Sequence, residues 1–296
     1  MAIDSQVYGK IRDLLGVDFQ EYDSEILPRM LEIVTSLRFT GGYSGIGELK
    51  ELFIELEKNK GAQVSEAAAR ALLVEMTKPD YWTPSCRVPD SVRKEVSRSR
   101  ERVIKEATEK PAGHYSPFHD AFLKDFSILR GKSMPVNTGI VDTKTVLWRR
   151  PMVVGPLKQR FMFMFLLLRP PAGTHYFFQH HTHTSMLKDF NQKGRLGTYN
   201  LVCDLLEINT NYKGFVSASW YNDPALESIS PRLTYLAQDP LRGGAYRFYV
   251  GEDSSGSALA KSKTRNELYQ KRQYIPRVYM VVWHRAEMLK WRESRK

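Results

Sequence analysis

Four histidines crowd one short stretch, His175, His180, His181 and His183, beside the apolar triplet Tyr176-Phe177-Phe178. On a strand, residues two apart share a face, so His175, His181 and His183 point one way and His180 the other. Imidazoles titrate near neutral pH and suit proton transfer or ligand contact. With a carboxylate from Asp189 or Asp223, His181 and His183 also meet the donor set of a two-histidine, one-carboxylate metal site, but no His-x-Asp or His-Glu-x-x-His spacing is present and no metal is expected. The expectation is that His181 and His183 lie on one side of a strand and face a solvent-reachable cleft.

A second group runs Ser217-Ala218-Ser219-Trp220-Tyr221-Asn222-Asp223-Pro224. A strand ending here delivers Ser217, Ser219 and Trp220 to its C-terminal edge, where ligands sit in open α/β sheets. Asp223 before Pro224 is equally the start of a helix, a capping carboxylate followed by proline in the first turn. Neither serine lies in a G-x-S-x-G turn, so a hydrolase nucleophile elbow has no support. A third group, Ser262-Lys263-Thr264-Arg265, opens a helix whose free N–H groups, with Lys261, Lys263 and Arg265, make a seat for phosphate. Tyr269 on that helix either packs or donates a proton. The glycine-rich run 41–47 precedes another helix without the lysine and hydroxyl of a P-loop, and reads as a connection or an anion cradle.

The elements that position these groups fall into three stretches. Residues 1–77 carry apolar positions at three- and four-residue steps and read as a helical N-terminal subdomain. Residues 78–117 are a charged, proline-punctuated linker holding one polar helix. Residues 118–296 form a mixed α/β domain, where the apolar period shortens to two near Met134. Its expected strands are 145–153, 160–169 and 174–184 as an antiparallel meander, then 214–221, 245–251 and 277–283 alternating with helices. A long helix capped by Ser185, and broken near Gly194 and Gly197, separates the two sets. The fold class is α/β (α+β), with a mixed, partly antiparallel sheet flanked by helices.

The chain has 296 residues and a net charge of +11. Eleven Lys or Arg against three Glu fall between Lys261 and Lys296, so phosphates of nucleic acid, an anionic membrane or a phosphorylated ligand compete with a plain solvated surface as the explanation. No helix-turn-helix, RNP or zinc-finger pattern supports sequence-specific nucleic-acid reading. Cys86 and Cys203 are far apart and belong to no metal-ligand spacing, which argues against a disulfide framework or structural zinc. The longest apolar run, Phe161 to Leu168, is far short of a membrane span and reads as a buried strand. The N-terminus lacks a secretory pattern, so a cytoplasmic protein is expected.

Two stretches carry a resemblance to the GNAT superfamily of acyltransferases. Leu268-Tyr269-Gln270-Lys271-Arg272-Gln273-Tyr274 is similar to the end of the late GNAT helix, and Ser219 to Leu226 resembles a stretch of divergent GNAT-like domains that follow a helical partner domain. The resemblance covers about residues 134–284. It implies acyl transfer from acyl-CoA or acetyl-CoA to an amine or hydroxyl on a small-molecule acceptor. His181 or His183 would be the base, Asp223 its partner, Tyr269 the donor to the leaving thiolate, and the Ser262 to Arg265 helix start a phosphate site. The family's glycine turn for pyrophosphate is missing from 182–187 and from 223–226. Adjacent parallel strands that splay near Ser217 to Trp220 are the structural mark to look for. The competing readings are a metal-dependent oxygenase or hydrolase built on the histidines, and a non-enzymatic module binding an acidic partner or nucleic acid through its basic C-terminal face.

Overall fold

Every position from Ser65 to Met76 is buried, because Ala67, Ala68, Ala69 and Ala71 let neighbouring helices close in on all sides. This stretch is the central helix of the first of two units, residues 1–142 with 182–188; the second comprises 143–181 with 189–296. The computed structural model describes residues 5–17, 20–37, 42–169, 173, 175–260 and 262–295.

The first unit contains α1 (Ser5–Leu15), α2 (Gln20–Ser36), α3 (Leu49–Lys60), α4 (Ala62–Met76), α5 (Asp90–Glu109) and α6 (Asp120–Leu129), then a hairpin of β1 (Ser133–Val136) and β2 (Gly139–Val146). Helices α1, α2, α3, α5 and α6 pack around α4. Phe53 meets Phe122 edge-on, with ring centroids 5.4 Å apart. Arg70, fully buried, pairs with Glu66 and donates to the carbonyls of Ala107, Lys110 and Pro111. Glu66 in turn accepts from the N–H groups of Gly113 and Tyr115. One satisfied ion pair thus fixes the turn between α5 and α6.

The chain passes into the second unit along β2. There it forms α7 (Leu157–Leu168), β3 (His175–Thr182), α8 (Gln192–Ile208), β4 (Gly214–Ser219), α9 (Leu226–Ile229), α10 (Tyr235–Arg242), β5 (Tyr246–Glu252), α11 (Ser257–Ala260), α12 (Lys263–Gln270), β6 (Arg277–His284) and α13 (Arg285–Glu293). The strand order is β1-β2-β3-β4-β6-β5. β3 and β4 are parallel and joined by α8, whereas β6 is antiparallel to both β4 and β5. The fold is α+β, a mixed sheet flanked by helices. One sheet face buries Phe177, Val216, Phe248, Met280 and Val282 against Phe163 and Leu166 of α7. On the other face Tyr199 of α8 packs against Phe215, Trp283 and Trp291.

Three expectations fail here. Segment 160–169 is not a buried strand but lies in α7, so no β-meander joins 145 to 184. Its apolar run contains Phe, Met and Leu but no β-branched residue, and a short uniform run has no period to separate strand from helix. Segment 145–153 leaves the sheet after Val146 and makes a 3-10 turn at Arg150–Met152. Ser185 does not cap a long helix: Thr184–Asp189 is a 3-10 turn. α8 instead starts at Asn191, whose Oδ1 accepts from the Gly194 N–H at 3.0 Å, and Gly194 and Gly197 lie inside it.

Candidate functional site

A strand–helix–strand unit with parallel strands returns its helix across the sheet, so the start of α8 lies at the edge where β3 and β4 end. The register of β3 with β4 runs Phe177↔Gly214, Phe178↔Phe215 and Gln179↔Val216. Beyond that, among the described residues, Ser217, Ala218 and Ser219 pair with β6 alone, opposite Val281, Met280 and Tyr279. The Ser217 hydroxyl lies 3.2 Å from the Tyr221 Oη. Asn222, buried, donates from Nδ2 to the carbonyls of Ser217 and Tyr279, both at 3.1 Å, and pins the turn that follows β4.

The first turn of α8 brings open backbone donors beside a buried cation, and Gln192 Nε2 lies 3.4 Å from Asp239 Oδ2. Asn191 satisfies the N–H groups of Gly194 through its side chain and of Arg195 through its carbonyl, while among the described residues none accepts from those of Gln192 and Lys193. Arg195 is 1% exposed. Its Nη1 lies 3.0 and 3.1 Å from the two ring nitrogens of His180, its Nη2 donates to Tyr199 Oη at 3.2 Å, and its buried Nε has no partner. No carboxylate of the described residues pairs with it. A guanidinium keeps its charge, and an uncompensated buried cation is costly. With the positive end of a helix beside it, that charge favours an anion. Tyr235 borders the same turn, donating to the Phe190 carbonyl at 3.3 Å. Burial raises the phenols of Tyr199 and Tyr235, so both stay protonated.

Most residues singled out from sequence are committed elsewhere. Asp223 is buried; one carboxylate oxygen accepts from the Ala225 N–H at 3.0 Å and the other from the Arg277 N–H at 3.2 Å. It therefore makes a local turn and ties it to β6, and Ala225 rather than Asp223 is the cap position of α9. Ser262 caps α12 through the Arg265 N–H. Arg265 is buried, stacks on Trp220 at 4.5 Å and donates to the Ala258 carbonyl and Ser230 Oγ, so it does not project towards a phosphate at the helix start. The Lys263 side chain is 91% exposed, and Lys261 lies outside the described residues. Tyr269 is exposed on α12. The basic C-terminal stretch is likewise divided: Arg292 pairs with Asp204 and Glu207, and Arg295 stacks on Trp291.

The histidine pair is separated. His181 lies in β3 and is partly buried, but β3 ends at Thr182. His183 belongs to the first unit, has no exposed surface and accepts the Ser185 N–H on Nδ1 at 3.1 Å, with Nε2 3.2 Å from Asp125 Oδ1. It faces no cleft. Among the described residues no three His, Cys, Asp or Glu side chains converge as a metal site would need.

Asp125 anchors a buried network that sequence reading missed. It accepts two hydrogen bonds from Arg102 and lies 2.8 Å from Tyr115 Oη. Glu106 accepts from Arg102 at 2.9 Å and from Ser185 Oγ at 2.7 Å. Burial alone would raise Asp125, but Arg102 and His183 hold it well below the usual carboxylate range. For Glu106, burial is outweighed by His114, Arg102 and Ser185, which lower it to about 2. The glycine-rich loop before α3 does meet an anion, the protein's own: the Tyr43 N–H donates to Asp142 Oδ2 at 3.0 Å.

Arg195 also escaped the sequence reading, although a signal existed. It stands four residues before Tyr199 on the stripe that continues with Val202, Leu205 and Leu206, and a charge on an apolar stripe needs a partner. Comparison with protein-family models, with curated proteins and with solved structures finds no match.

Proposed function

We propose that the second unit is an acyltransferase that moves an acyl group from a CoA-type thioester to an amine or hydroxyl. The carrier's phosphates would sit at the start of α8 rather than at the start of α12. The observation that carries this reading is Arg195, a buried guanidinium with which no carboxylate of the described residues pairs, next to the open N–H groups of Gln192 and Lys193. That donor set fits a phosphorylated ligand by charge and by hydrogen-bond sense. Two features agree with it: the parallel strands β3 and β4 border this turn, and among the described residues the last three of β4 pair with β6 alone. An extended amide-bearing chain fits such an edge, since it exchanges hydrogen bonds as an added strand does.

The thioester supplies an activated acyl carbon and a good leaving group. The protein's part is to position donor and acceptor and to move two protons. His181, at the end of β3, is the base for the acceptor's proton. The Ser217–Tyr221 hydroxyl pair, rather than the exposed Tyr269, donates a proton to the departing sulfur. Lys193 and the α8 amides hold the phosphates, and Arg195 neutralises them from below.

Thermal melts with coenzyme A, acetyl-CoA and a long-chain acyl-CoA test this against equal pyrophosphate. At a hundred times its dissociation constant a ligand stabilises the native state by about 2.7 kcal/mol, a rise of several degrees at ~2 to 4 °C per kcal/mol. Lys193→Glu should reduce the shift. No shift with any thioester, or an equal one with pyrophosphate, refutes the reading.

A further inference from the structure

Helix α7 has two apolar stripes on opposite sides. Phe163 and Leu166 point into the core, and Gln159 on the same side exchanges two hydrogen bonds with the backbone of Tyr249 in β5, at 2.7 and 3.0 Å. Arg169, after the last turn, pairs with Glu287 at 2.9 Å. The helix is therefore held firmly, and its outer face is a consequence of that seating. Leu157, Phe161, Phe165 and Leu168 recur there at steps of four, four and three, and each is between 63 and 68% exposed. Val153, at 71%, and Trp148, at 48%, extend the patch from the preceding turn. Large aromatic and aliphatic side chains in one stripe are not the scattered apolar exposure of an ordinary surface.

Charge decides what covers this face. By helical geometry Lys158 and Arg160 flank the outer stripe on its two sides, and Arg149 stands beside Trp148; all three are exposed. From Thr143 to Gly173 the chain carries Lys144, Arg149, Arg150, Lys158, Arg160 and Arg169, and no Asp or Glu. A second copy docking the same face would bring like charges together around its rim. An anionic bilayer complements both parts, taking the apolar stripe into its interface while its headgroups meet the cations. The twelve residues of α7 are about 18 Å long and cannot span a bilayer, and no helix among the described residues is long and apolar enough to do so.

We propose that the outer face of α7, with Trp148 and Val153, docks the protein on an anionic lipid surface, the helix lying in the plane of the interface. This rests on neither the anion seat at α8 nor acyl transfer, and its test is independent of both.

Co-sedimentation of the full chain with vesicles of phosphatidylcholine alone, and with a phosphatidylglycerol admixture, at low and high salt is the experiment. Binding is expected on the anionic vesicles, weakening with salt, with Trp148 emission shifted to the blue and that shift lost in Trp148→Phe. Phe161→Asp with Phe165→Asp should lower partitioning by about a hundredfold or more while the melting temperature holds, since both side chains are exposed. Reversal of Arg149, Lys158 and Arg160 to Glu should cost about a hundredfold on anionic vesicles and provides the decisive variant should the aspartate pair not fold. Absence of binding to anionic vesicles at low salt, equal binding by the charge-reversed protein, or a stable dimer that Phe161→Asp dissolves would each overturn the proposal.

Discussion

Nε2 of His183 lies 3.2 Å from Oδ1 of Asp125, and neither side chain reaches solvent. The same carboxylate holds Arg102, so one buried anion faces two basic groups, one from α5 and one from the segment 182–188 that rejoins the first unit. A group so enclosed works through cohesion, because no substrate reaches it.

Asp125→Asn should therefore destabilise the first unit by about 3 to 5 kcal/mol, since it leaves the Arg102 guanidinium without its principal counter-charge. Urea denaturation measures this. A loss below about 1 kcal/mol would mean that the network is incidental to the fold.

Glu106 sets an acid limit. Its folded value is about 2 against an ordinary value of 4.5, so its contribution is complete above about pH 4.5 and is lost as pH falls towards 2. In that window the unfolded chain binds more protons, and stability rises with pH. The contribution at neutral pH is on the order of 3 kcal/mol. Denaturation curves of wild type and Glu106→Gln from pH 2 to 7 should converge at the acid end. Parallel curves would remove Glu106 as the cause.

Arg195→Met separates ligand binding from stability. A buried cation without a carboxylate contributes little to folding, so the variant should melt within a few degrees of wild type or above it. Its shift with acyl-CoA should vanish. A variant that unfolds outright would show that Tyr199 and His180 depend on the guanidinium.

Gly214→Ala addresses the start of β4. Gly214 has φ +150°, and a Cβ there would stand 2.1 Å from the Trp283 carbonyl oxygen, in the backbone of the paired strand β6. Relief requires moving β4 from β6, so a loss of at least about 2 kcal/mol is expected. A melting temperature unchanged from wild type would show that this approach is looser than the geometry indicates.

Much of the architecture is legible from local pattern. The 3.6-residue period marks helices before residue 77, β1 begins at Ser133 beside the change of period near Met134, and β4, β5 and β6 lie where the three late apolar runs stand. Each signal depends only on near neighbours in the chain. The run Phe161 to Leu168 is not legible in this way because helix and strand are indistinguishable where every position is apolar, and only the core beneath Phe163 and the Gln159–Tyr249 bonds choose between them.

Residue types and spacings determined which side chains had the means for proton transfer and anion binding, and that the late segment alternates strands with helices. Tertiary structure decided which of those side chains remain available. His183 is consumed by Asp125, Arg265 by Trp220 and Asp223 by two backbone amides, while Arg195 gains weight because no carboxylate of the described residues pairs with it. The physical reason is that availability is set by partners remote in sequence: burial makes an unpaired charge costly, and whether it is paired depends on which distant segment the packing brings against it.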